Sequence, residues 1–344
     1  MKTKALSQAL IAAILFGLAT PFSKTLLKDF QPNQLAGLLY LGAALALAPS
    51  VIRRRATGRA LFPRDARNRK NLAGAVIFGG IIGPVLLLFG LRLSPASSVS
   101  MWLNLESVAT AVLSVLFFRE HLSKRIWIGN IGVVLAGIVL NYNGGTAGWL
   151  GLLCVTGAAI AWGLDNNFTS VIDEIRPEDS TFIKGLIAGG TNCVIGFGLF
   201  QWTFGIEWLY ALALGGVSYG VSIALYIHAA QGMGATRSQM AFASSPFFGV
   251  LFSVLLIGES FGAPQAVAAA LMIASVVLLL TDRHRHEHRH LSITHEHTHV
   301  HDDHHQHSHP DGDQMESSHS HPHSHEPLAH SHPHDPDLHH RHEH

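Results

Sequence analysis

The chain has 344 residues, 48% of them hydrophobic and 13% charged, with Lys+Arg and Asp+Glu balanced at 23 each. The mean hydropathy of +0.27 averages two unlike parts. Residues 1–282 run as apolar segments long enough to cross a bilayer, so no soluble core is to be sought there, whereas residues 283–344 are almost entirely polar. Cys154 and Cys193 fall inside apolar segments, which excludes a disulfide framework. No nucleophile–base constellation, phosphate-cradling glycine loop or cofactor fingerprint stands out, which argues against an enzyme, and no nucleic-acid partner is expected.

In chain order the pattern predicts ten spans: Leu6–Leu27, Asn33–Ile52, Asn71–Leu91, Ser97–Phe118, Lys124–Leu140, Trp149–Ile172, Thr181–Thr203, Trp208–Ala230, Ala235–Ile257 and Ala263–Leu280. Met1–Leu27 lacks a small-residue cleavage pattern and reads as a retained first helix. Uninterrupted apolar runs mean helices; barrel strands would be shorter and would alternate. One flank of the spans holds Lys2, Lys4, Arg53, Arg54, Arg55, Arg59, Arg64, Arg67, Arg69, Lys70, Arg119, Lys124, Arg125, Arg176 and Arg237; the other holds only Lys28 and Arg92. Positive charge stays inside, so both termini are expected in the cytoplasm of a bacterium, with the chain in its inner membrane.

The segment Ala96–Glu120, moved by 139 positions, falls without a gap on Ala235–Glu259: Ala96, Met101, Ser114, Val115, Leu116 and Glu120 repeat as Ala235, Met240, Ser253, Val254, Leu255 and Glu259. A weaker echo joins Phe16–Lys24 to Trp162–Ser170. Five spans per unit is an odd number, so the second copy inserts upside down. Inverted repeats about a midplane site are a recurrent plan of secondary transporters. The implied organisation is one repeat over 1–143, a second, inverted, over 144–282, and a tail over 283–344. The fold class is an all-α integral membrane protein with ten transmembrane helices as two inverted five-helix repeats, plus a disordered tail.

The ten spans, the turns Gly90–Ser97 and Gly232–Ser238, the Trp162-Gly163 to Phe168-Thr169 pattern and a glutamate closing spans four and nine resemble the EamA branch of the drug/metabolite transporter superfamily. The resemblance covers residues 5–281. It implies a ten-helix basket with a central cavity and export of small metabolites, often driven by an ion gradient. It names no substrate, and the tail departs from the family's usual pattern.

Glu106 lies near the middle of span four, where an ionisable group costs roughly 2.5–3.5 kcal/mol on insertion scales and must face the bundle interior. It is the first candidate for proton coupling or substrate binding; the alternative is a buried glutamate satisfied by a helix–helix hydrogen bond. Trp102, four residues earlier, would share its face. The second unit has Ser245 at the matching position, within Ser244-Ser245-Pro246. Asp165 and Asn166 lie two-thirds along span six and Lys184 near the start of span seven. Counting outward from the intervening turn puts Asp165 and Lys184 at one depth in antiparallel helices, which predicts an ion pair, either a gate or a static clamp. Lys24 either snorkels to the interface or attracts an anionic substrate. Pro21, Pro84 and Pro246 each free a carbonyl inside a span.

The tail holds all of the 25 histidines except His121 and His228. Many alternate, as in His284 to His290, His295-x-His297-x-His299-x-His301, His319-x-His321-x-His323-x-His325 and His330-x-His332-x-His334, with His304 and His305 between. Alternation puts successive rings on one side of an extended chain. Imidazole with interleaved carboxylates suits Zn, Ni or Co, so a bound divalent transition metal is expected, while no cofactor is required. So polar a segment cannot bury enough surface to fold alone. Three readings stand. The first is an exporter of a small metabolite with a regulatory tail. The second is a metal exporter loaded by the tail. The third is a membrane protein that senses metal or pH and transports nothing. Gly79/Gly83, Gly185/Gly189 and Gly216/Gly220 suit close packing of helices, within the chain or across a homodimer.

Overall fold

A computed structural model of the chain describes residues 2–55, 61–118, 123–141, 145–170, 172, 174–201, 204–233, 238 and 241–280, and in the tail 284–290, 293–299, 319–325 and 328–334. Residues 1–282 and 283–344 are two separate units. Among the described residues of the first, eight helices are long and apolar enough to cross a membrane, and two shorter apolar helices, Ser245–Ile257 and Ala263–Leu278, take the places of spans nine and ten.

Several spans are broken, and a proline stands close to three of the breaks. Span one is α1 (Lys2–Gly17) and α2 (Ala19–Leu26), with Pro21 unable to donate to the turn before it. Span two is α3 (Pro32–Arg55). Span three is α4 (Ala66–Ala75), a π-helical stretch Val76–Ile82, and α5 (Gly83–Leu93) with Pro84 in its first turn. Span four is α6 (Ala96–Trp102) and α7 (Leu105–Phe118), parted by a turn at Leu103–Asn104. Spans five, six and seven are α8 (Lys124–Asn141), α9 (Gly145–Ser170) and α10 (Pro177–Leu199). Span eight is α11 (Glu207–Gly215), a second π-helical stretch Gly216–Val221, and α12 (Ser222–Met233). Span nine turns at Ala243–Ser244 before α13 (Ser245–Ile257), and span ten is α14 (Ala263–Leu280).

Span two packs on seven, five on ten, four on nine, three on six, eight on one, four on six and nine on one. Adding five to every span number maps this set of contacts onto itself: three–six exchanges with eight–one and four–six with nine–one, while the other three are unchanged. The two π-helices sit at corresponding places in spans three and eight, and the two turns at corresponding places in spans four and nine. Counted from those turns, Glu106 falls level with Pro246, and Ser245 with Leu105. Spans two and seven approach closely because Gly185 and Gly189 lie against backbone atoms of Tyr40 and Leu41. These glycines serve packing within one chain.

In the second unit, His284–His290 pairs antiparallel with Leu328–His334, and Ile293–His299 with His319–His325. Alternation of imidazole with other residues is itself a period-two strand pattern. The registers set His286 opposite His332, His288 opposite His330, His295 opposite His323, His297 opposite His321 and His299 opposite His319. Such ladders have no apolar face to bury, and a two-stranded ribbon alone is marginal in water. His301, His304 and His305 lie outside the described residues.

Candidate functional site

The site grows out of the π-helical stretch in span three. Pro84 brings no N–H, so neither Gly80, four residues before it, nor Gly79, five before it, receives a hydrogen bond from that position. Three other helices supply the donors. Tyr40 Oη donates to the Gly79 carbonyl at 2.7 Å, Trp162 Nε1 donates to the same oxygen at 3.0 Å, and Asn192 Nδ2 donates to the Gly80 carbonyl at 3.2 Å. Spans two, six and seven are thereby tied to one bulge in span three. The proline inside the span announced a freed carbonyl; nothing local announced which side chains would reach it.

Gly79 also leaves room for the expected ion pair. A Cβ there would collide with the Asp165 carboxylate. Asp165 is buried and accepts from Lys184 Nζ at 2.7 Å on Oδ1 and 2.5 Å on Oδ2, and Thr169 Oγ1 donates to Oδ1 at 2.9 Å. The pair that antiparallel counting predicted between spans six and seven is present.

The next residue, Asn166, points the other way round the helix and carries the link to span four. Its Nδ2 donates to Glu106 Oε1 at 2.9 Å and to Thr110 Oγ1 at 3.2 Å. Asn166 and Ser107 are exposed and Glu106 and Thr110 are half-buried, in the middle of helices whose other exposed positions are mostly apolar. A polar cluster inside a span faces protein or water, not acyl chains. Among the described residues no ion pair reaches Glu106, because Lys184 is committed to Asp165.

The other sequence candidates lie apart from this cluster. Trp102 is fully buried at the end of α6, against Gly137 of span five. The turn at Leu103–Asn104 separates it from Glu106, so the simple four-residue relation within one helix does not join them. Ser245 is buried, and its carbonyl meets Gly17 at the break of span one. Aromatic rings form a second cluster. Tyr219, in the π-helical stretch of span eight, lies 5.6 Å from Phe16 and 5.8 Å from Tyr40, and Phe242 lies 5.3 Å from Phe16 and 5.0 Å from Tyr226.

One end of the bundle is closed by charged side chains that cap helices. Lys24 Nζ donates to the carbonyls of Leu91 at 2.6 Å and Ser94 at 2.9 Å, capping α5. Arg92 reaches the C-cap of α2 and the turn beyond it, donating to the carbonyls of Leu27 at 3.3 Å and Phe30 at 3.0 Å and to Gln31 Oε1 at 2.6 Å. At the other end Arg54 pairs with Asp179 at 3.2 Å and Glu178 at 3.5 Å, and Glu174 accepts from the backbone N–H of Arg64 and Asp65. Among the described residues no group of three or more His, Cys, Asp or Glu could hold a metal ion.

Comparison with known proteins agrees with this architecture. The EamA-like transporter family matches residues 3–142 and 149–281. The chain belongs to that family. A relative in Methanothermobacter thermautotrophicus, described as an uncharacterized transporter, is 26% identical over 290 residues, which span 78% of this chain and 83% of its own. A crystal structure at 16% identity superposes with a TM-score of 0.60 over 81% of this chain and 98% of its own, which establishes likeness of fold alone. This EamA-like chain is therefore a multi-pass membrane protein of a transporter family.

Proposed function

We propose that the protein is an ion-coupled secondary transporter that exports a small organic metabolite by alternating access, with Glu106 as the coupling or substrate group. One observation carries this reading: Glu106 is a carboxylate inside a span, held by a neutral amide, beside exposed polar groups. A carboxylate meant only for stability would be matched by a cation, as Asp165 is by Lys184. Glu106 is left to exchange a proton or a cationic group of the cargo. The Asp165–Lys184 pair, bedded against Gly79, serves as a fixed clamp beside it.

The contact pattern that survives renumbering by five supports two five-helix repeats, and their odd span number supports inversion. The one-sided Lys and Arg flank supports cytoplasmic termini in a bacterial inner membrane. The density of alternating histidines in the tail sequence supports divalent metal binding there, with a regulatory role.

The test is counterflow by the full chain in lipid vesicles. A panel of small amines, amino acids and organic acids is offered, and Zn²⁺, Ni²⁺ and Co²⁺ separately. Flux of an organic solute that is lost in Glu106→Gln is the expected result. Flux of metal that needs Glu106 would replace the cargo with the metal itself. No flux of any solute, together with a metal response that needs only the tail, would overturn the transport reading.

A further inference from the structure

The connection between spans three and four is gripped from both sides by distant parts of the chain. Lys24 of span one holds the carbonyl end of α5. Glu259, just past span nine, holds the amide end of α6: Oε1 accepts from Ala96 N–H at 2.6 Å, and Oε2 accepts from Ser97 N–H at 2.8 Å and from Ser97 Oγ at 2.6 Å. Three donors on one carboxylate make a charge-assisted cap, the strong kind of hydrogen bond. The residue before it is built for the purpose. Gly258 has φ +71°, and with that turn the Glu259 N–H reaches back to the Ser253 carbonyl at 3.2 Å. The backbone reversal aims the carboxylate at span four.

What Glu259 grips is a short segment. The helix α6 is a seven-residue segment running from the cap to the turn at Leu103–Asn104, and Glu106 sits just beyond that turn. It packs on α13 of the other half of the chain, where Gly249 lies against Ser100. Glu259 ends that same α13. The carboxylate therefore ties the end of one half to the start of a hinged segment in the other, at the end of the bundle remote from Arg54. The exposed face of Asn166 marks where the polar cluster is open. We infer that Glu259 is a releasable latch: bound to Ala96 and Ser97 it shuts this end of the pathway, and its release lets α6 swing about Leu103–Asn104 and open it.

The latch rests on the alternating-access reading, but its test needs no cargo. In a Cys154→Ser/Cys193→Ser background, single reporters Ser98→Cys, buried in α6, and Asn166→Cys, exposed at the polar cluster, are labelled with a water-soluble maleimide in lipid nanodiscs. Each is compared with and without Glu259→Gln. The expected result is an about tenfold faster reaction at Ser98→Cys and a slower one at Asn166→Cys, since opening one end closes the other. Faster labelling at both positions would mean loosened structure, and no change at Ser98→Cys would mean a static cap; either overturns the proposal. If Glu259→Gln does not fold, Ser97→Ala, which removes one of the three donors, decides the matter by the same opposed changes at about threefold. A failed latch leaves the flux test of Glu106 untouched.

Discussion

The Asp165–Lys184 pair supports a quantitative prediction. Asp165→Asn and Lys184→Met each remove one charge and leave the other inside the membrane. The two side chains retain only 10% and 15% exposure, so little water can replace the lost partner. Breaking a buried pair costs 3–5 kcal/mol, and residual exposure sets this one at the lower end, about 3 kcal/mol for each single variant. The two are not equal. Asp165 keeps the Thr169 hydroxyl when Lys184 is replaced, so Lys184→Met is the milder. The double variant leaves no uncompensated charge and loses roughly 1–2 kcal/mol, giving a coupling of about 4–5 kcal/mol. Equilibrium unfolding in mixed detergent micelles measures all four proteins. Additive losses, with the double variant as poor as both singles together, would refute the pairing argument.

The remaining predictions use the same geometry. Glu106→Gln still accepts from Asn166, so it keeps the melting temperature of the parent within a degree or two but loses at least about tenfold of coupled flux, read in vesicles. Asn192→Ala strips the Gly80 carbonyl of its donor and costs about 1–3 kcal/mol; adding Pro84→Ala restores a backbone N–H in that turn and recovers part of the loss. Gly79→Ala drives a methyl group into the Asp165 carboxylate and destabilises the fold more than Gly190→Ala, whose added Cβ meets nothing, both read by thermal unfolding. Removing residues 283–344 leaves the membrane unit folded, since it is separate, and abolishes most Zn²⁺ binding in calorimetric titration; unchanged binding would assign the metal elsewhere.

Hydropathy alone located the spans, because twenty apolar residues in a row have few alternatives. It also located Asp165 opposite Lys184, since depth in antiparallel helices follows from counting residues. It missed what depends on backbone defects. Span four has no glycine or proline between Ser97 and Phe118, so the turn that parts Trp102 from Glu106 left no trace in the pattern. The π-helical stretches were equally silent, although Pro84 marked one of them. For Lys24, sequence shows distance to the span end, not the carbonyls that converge there from span three. Glu259 was noticed as part of the echo, but its partners are more than 160 positions away.

The two halves share hinges but not chemistry, and the difference has a physical basis. A perfect copy would bring a second carboxylate to span nine, and two like charges in a low-dielectric site disfavour each other's ionisation. Level with Glu106, span nine instead carries Pro246, after a turn at the same place. Spans four, six and seven supply carboxylate, amide, hydroxyl and ammonium groups, whereas spans one, two, eight and nine supply Phe16, Tyr40, Tyr219, Tyr226 and Phe242. A bend at the same place in spans four and nine is what the proposed alternating access would use in each half. On the proposed coupling role, a single ionisable group would be loaded and unloaded without a neighbour competing for the same proton. Swapping Glu106 and Pro246 between the halves would therefore keep the bends only if each replacement also kept its local hydrogen bonds. Span four has the Asn166 amide waiting for a carboxylate, and span nine has none among its described contacts.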